Sequence, residues 1–135
     1  MKANGPIGAV KFCTENAYTL TESVSDSFGQ NVSIKRISLK ERNPSNAPEG
    51  KENIIMDSLQ TLHDNGVVMP EYILERVDAD TFKYYKPLQI NKGVCLKCHG
   101  SYIDENVAAE LKKTYPDDKA TGYVQGDLRG AIVVT

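Results

Sequence analysis

The chain has 135 residues, 40% of them hydrophobic and 25% charged, enough for one compact domain that buries about two-thirds of its unfolded surface. Sixteen basic against eighteen acidic side chains leave a formal charge of -2. With no basic field, and with Lys35-Arg36 and Lys40-Glu41-Arg42 short and mixed, nucleic acid is not an expected partner.

In chain order, residues 7–28 predict a helix. Val10, Cys13, Ala17, Leu20, Val24 and Phe28 recur at three- or four-residue steps, and Gly29 is a natural stop. That stripe makes Cys13 an inward-facing small apolar residue. Alternation over residues 31–39 predicts a short strand carrying Val32, Ile34 and Ile37, and RNPSNAP at 42–48 predicts a loop. A second helix is expected over 49–62, with Ile54, Ile55, Leu59 and Leu62 inward and Gly66 beyond its end. Residues 71–77 and 82–90 predict a hairpin turning at Asp78-Ala79-Asp80, residues 105–113 a short helix, and residues 128–134 a closing strand. Helices outside a small, mainly antiparallel sheet make an α+β domain.

Cys95-Leu96-Lys97-Cys98-His99 has the C-x-x-C-H pattern of covalent c-type haem attachment. Two thioethers must reach two vinyl groups on one porphyrin edge, and the next residue must turn its imidazole beneath the iron; two intervening residues let one tight helical turn do both. Neutral imidazole offers the lone pair, and its other N–H can be fixed by a backbone carbonyl. A thioredoxin-like dithiol would want the motif in a βαβ unit. Structural zinc would need four ligands, drawn from Cys95, Cys98, His99 and either Cys13 or His63, with Cys98 and His99 awkwardly adjacent. One haem c per chain, on Cys95 and Cys98 with His99 as proximal ligand, is the expectation.

The chain resembles the Tll0287-like haem domain family. The resemblance is carried by KFCTENAYTL (residues 11–20), RNPSNAPE (42–49), YYKPLQI (84–90), VCLKCHG (94–100) and YPDDKATGYVQGDLRGAIVV (115–134), and so covers nearly the whole chain. It implies a PAS-like fold, a central antiparallel sheet with flanking helices enclosing a haem. It also implies an exported protein that senses redox state or gas and is not an enzyme.

From the residues alone, Cys13, Met69 and an open site compete for the distal position; Met56 and the tyrosines are further candidates, and His63 reads as a surface residue. The resemblance assigns Cys13, giving the iron ligands His99 and Cys13. A thiolate favours ferric iron and a low potential, and loss of Cys13 on reduction would be the signal. Arg36, Arg42, Lys97 and Arg129 are candidate propionate partners, with Arg129 favoured for its place in Gly126-Asp127-Leu128-Arg129-Gly130. Gly122, Gly126 and Gly130 read equally as sites of close ligand approach or as simple turns.

With His63 the sole histidine besides His99, no distal acid–base pair supports a peroxidase or reductase. Sensing of a small gaseous ligand or of a redox partner protein is expected, with low-potential electron transfer as the alternative and a homodimer as the assembly to test. No apolar run reaches the roughly 20 residues that span a bilayer, and residues 1–6 lack a signal-peptide core. Haem attachment nevertheless implies a periplasmic protein, with an export signal or membrane anchor expected ahead of Gly5.

Overall fold

The computed structural model describes residues 5–135; the first four residues of the segment read for an export signal lie outside them. The elements in order are α1 (Gly5–Ser27), β1 (Ile34–Ile37), a 3-10 turn (Pro44–Asn46), α2 (Lys51–Asp64), β2 (Ile73–Arg76), β3 (Phe82–Gln89), α3 (Gly93–His99), α4 (Glu105–Thr114) and β4 (Leu128–Val134). The fold is α+β, as expected. Its four strands run in the order β1-β4-β3-β2 with every neighbouring pair antiparallel. Among the described residues no helix is long and apolar enough to cross a membrane.

Local chemistry explains the turns. At the hairpin tip Asp78 Oδ1 accepts from the amides of Asp80 (3.0 Å) and Thr81 (2.9 Å), a side chain closing its own turn. The segment expected as a plain loop folds one 3-10 turn, because Asn43 Oδ1 caps the amide of Ser45 at 3.0 Å and Pro44 fits the first position. Gly122 (φ 80°) and Gly126 (φ 93°) sit in left-handed backbone and turn the chain. Gly130 serves the sheet instead: a Cβ there would lie 2.3 Å from the Ile37 carbonyl oxygen on β1.

The main core lies on the sheet face covered by α2, where Met56 and Leu59 pack with Ile37, Tyr85, Ala131 and Val133. Here the expected register of α2 is corrected. Ile54, expected inward, is 64% exposed, and Glu52 is buried in line with Met56 and Leu59. The sheet decides this, since Lys35 and Lys83 on that face grip the Glu52 carboxylate at 2.9 and 2.8 Å, and the Glu49 amide donates to it at 3.1 Å. Burial alone would raise this carboxyl; the donors win and hold it below the usual range.

The expectation for α1 is also corrected. Of its residues only Val10 is buried, while Leu20, Val24 and Phe28 are exposed and so is Cys13, expected to face inward. The helix meets its neighbours along a rotated line of half-buried Ala17, Thr21 and Ser25. On that line Arg36 Nη2 donates to the Ala17 carbonyl (3.5 Å) and the Ile34 amide to Ser25 Oγ (2.9 Å). Small and polar side chains let α1 approach β1 closely, which turns the larger apolar stripe away.

Candidate functional site around Cys95, Cys98 and His99

Helix α3 is two turns long and holds the whole C-x-x-C-H segment. It ends sharply because the Gly100 amide bonds the Leu96 carbonyl at 2.9 Å, where any Cβ would come within 2.5 Å of that oxygen. Cys95 and Cys98, three residues apart, share one helix face. Both thiols are free and half-buried. Cys95 packs against Ile90, Ala120 and Tyr123, and Cys98 against Val10, Val107 and Leu111, so α3 joins two small apolar clusters. Burial pushes the Cys98 thiol up despite nearby Arg42, and Cys13 pushes it further. Helix α1, which carries Cys13, meets the motif where Val10 packs with Cys98.

His99 is fixed by one bond, Nδ1 to the Ala120 carbonyl oxygen at 2.8 Å. A carbonyl can only accept, so Nδ1 carries the proton and Nε2 keeps its lone pair. Burial lowers the imidazole pKa to about 4; the Ala120 carbonyl opposes this, and the charges of Arg129 and Arg42 reinforce it. The ring is therefore neutral at pH 7, the form that ligates a metal. Its edge meets the buried Tyr123 ring, with centroids 6.2 Å apart and planes at 87°.

Tyr123 carries two cations on its ring, the Lys40 ammonium at 4.6 Å and the Arg129 guanidinium at 5.6 Å. Arg129 also donates through Nη1 to Ser38 Oγ (2.7 Å) and the Lys40 carbonyl (3.3 Å), and burial lowers its pKa. It thus stands one aromatic ring away from His99. The other predicted donors lie elsewhere. Met56 and Met69 pack in the α2-side core, and His63 sits between Asp64 (3.4 Å) and Asp127 (3.7 Å).

Among the described residues no three His, Cys, Asp or Glu side chains form a metal-holding group. A redox dithiol wants a depressed thiol pKa in a βαβ frame, whereas Cys98 is raised and the sheet is antiparallel throughout. The donor set that remains, two thiols on one helical turn followed by a neutral imidazole with its second nitrogen tied, fits covalent haem. Sequence reasoning missed the Ala120 carbonyl, a backbone group that carries no motif, and Asp118, whose carboxylate pairs with Arg42 (2.9 Å) and accepts from the Ala120 amide (2.8 Å).

The family model described as Tll0287-like matches residues 3–135. The chain belongs to the Tll0287-like family. This Tll0287-like chain is also similar to the crystal structure of the cyanobacterial heme-protein Tll0287, with a TM-score of 0.66 and 26% identity over 87% of this chain and 66% of that one. It therefore spans 66% of that protein's length. No curated protein matches it. A central antiparallel sheet flanked by helices is the PAS-like architecture that the resemblance implied.

Proposed function

We propose that this Tll0287-like domain carries one covalent haem c and senses redox state or a small gas without acting as an enzyme. Cys95 and Cys98 would hold the haem through thioethers, and His99 and Cys13 would ligate its iron. The carrying observation is the neutral His99 with Nδ1 bound to the Ala120 carbonyl, following two free thiols on one short helix. The similar structure being that of a heme-protein supports the same reading.

When bound, the haem supplies a one-electron redox centre and an iron able to take a small ligand. The chain's own part is to orient His99 through Ala120, to exclude water with Tyr123 and the apolar side chains beside α3, and to offer the exposed Cys13 from α1. As a thiolate ligand Cys13 would favour ferric iron, and its protonation by solvent after reduction by an external donor would weaken that bond and free α1 to shift. Arg129 and Lys40, both over the Tyr123 ring, would supply positive charge for the haem propionates. Covalent haem attachment, as proposed, supports a periplasmic location. A homodimer through the outer helices is the assembly to test by sedimentation.

The test is expression with an export signal in cells that mature c-type haem, followed by denaturation and staining for covalent haem. The wild type retains the stain and Cys95→Ser/Cys98→Ser loses it; an unstained wild type overturns the proposal. Cys13→Ala then changes the ferric absorption and paramagnetic resonance spectra, and unchanged spectra remove Cys13 as ligand. Carbon monoxide or nitric oxide binding to the reduced protein supports sensing, whereas fast electron exchange without ligand binding makes the domain an electron carrier.

A further inference from the structure

Arg42 follows β1 by five residues and lies far from α3 in sequence, yet its guanidinium is a hub of the site. Through Nη2 it donates to the Cys98 carbonyl and to the Ala120 carbonyl (3.2 Å), and through Nε it pairs with Asp118 Oδ2 at 2.9 Å. Asp118 returns to the same loop, its Oδ1 accepting from the Ala120 amide at 2.8 Å. Both side chains are well buried, at 13% and 10% exposure. The Ala120 oxygen that receives Arg42 is the one that holds His99 Nδ1. One carbonyl therefore serves a cation on one lone pair and the imidazole N–H on the other.

We infer that Arg42 is a positioning residue that sets the donor strength of His99 through the shared Ala120 carbonyl, with Asp118 as its counterweight. The inference rests on the haem reading above. A carbonyl already polarised by a guanidinium is a weaker acceptor for a second donor. It draws less on the Nδ1 proton and leaves His99 a plain imidazole, where an undivided acceptor would push it toward imidazolate. An imidazolate-like ligand favours ferric iron, and so does removal of a nearby cation. Both effects of losing Arg42 thus lower the reduction potential. Asp118 acts in the opposite sense, since without its negative charge the guanidinium acts at full strength.

The surroundings make this a fixed clasp. The Lys119 amide bonds the Glu41 carbonyl (3.1 Å), Lys40 Nζ bonds the Thr121 carbonyl (2.6 Å), and the Tyr123 amide bonds the His99 carbonyl (2.9 Å). Residues 40–42 and 119–123 are thereby pinned around the end of α3 independently of Arg42, so a substitution there need not displace the loop.

The experiment measures the midpoint potential of haem-loaded wild type, Arg42→Gln, Arg42→Lys and Asp118→Asn, each checked for covalent haem by stain and for unchanged ferric ligation by absorption. Arg42→Gln is expected to move the ferric–ferrous equilibrium about tenfold toward ferric, a drop of about 59 mV for one electron. Arg42→Lys should fall between Arg42→Gln and wild type, and Asp118→Asn should move the potential upward. Equal potentials in Arg42→Gln and wild type overturn the inference, as does a shift of the same sign in Arg42→Gln and Asp118→Asn, which marks a merely structural role. If Arg42→Gln does not accumulate, the sign of the Asp118→Asn shift decides alone. Absence of covalent haem from wild type defeats the haem reading instead, so the two failures are distinguishable.

Discussion

The two sides of the molecule are built on different terms. Beneath α2, Leu59, Tyr85, Ala131 and Val133 are completely buried, and even the charge that enters this region, Glu52, is matched by two lysines and a backbone amide. Along α1 and α3, burial is confined to small clusters around Val10 and Ile90, the thiols are half-buried or exposed, and Leu20, Val24 and Phe28 face outward. The α2 side is a core the chain completes with its own side chains. The α1–α3 side leaves Cys13 and the apolar stripe of α1 exposed, with Cys95 and Cys98 half-buried. The tightest packing lies in the first and the proposed haem residues in the second.

Truncation in the complete core should be the most damaging change to the haem-free chain. Leu59→Ala leaves a cavity beneath the sheet and should cost about 2–5 kcal/mol, measured as a lower denaturant midpoint with unchanged slope. A loss below about 1 kcal/mol would show that this side is no better packed than the other.

Next in size is a pH effect from the α3 side. The His99 imidazole titrates near 6.5 in the unfolded chain and at about 4 when folded, because burial disfavours its charged form. Between those values the unfolded state binds more protons, so this contribution is complete above about pH 6.5 and is lost as pH falls toward 4. The total is about 3 kcal/mol at most for a shift of this size. Denaturant unfolding of the haem-free protein across this window should show the loss, and His99→Asn should remove it. Parallel pH profiles for the two proteins would contradict the buried neutral ring.

The smallest effects are expected on the outward stripe of α1. Leu20→Gln and Val24→Gln should each change stability by under about 0.5 kcal/mol, because exposed side chains have little burial to lose. A cost comparable to that of Leu59→Ala would mean that α1 is seated by this stripe in solution, and the contrast between the two sides would fail.

The motif chemistry was legible because it is local. Spacing in Cys95-Leu96-Lys97-Cys98-His99 dictates which side chains one helical turn presents, and Gly100 stops that turn because a Cβ would strike the Leu96 carbonyl. The strand at residues 128–134 was read to its ends for the same reason. Facing was harder to read. Periodicity finds an apolar stripe on α1 and on α2 but not the direction in which each stripe points. On α2 the sheet's lysines selected Glu52 over Ile54, and on α1 the close approach through Ala17, Thr21 and Ser25 turned Cys13 and Leu20 outward.

By itself, then, the sequence determined the α+β class, the elements and their approximate ends, and residues 95, 98 and 99 as neighbours on one short helical turn, all of which depend on neighbours within a few positions. Only the tertiary structure decided that β4 lies between β1 and β3, that Ala120 fixes the His99 tautomer, and that Arg42 and Asp118 gather on that same carbonyl and its amide. Those contacts join residues 21 and 78 positions apart. Each joins a side chain to a backbone group that every residue possesses, so sequence pattern does not announce the pairing; only the packing of loops around the end of α3 brings the partners within bonding distance.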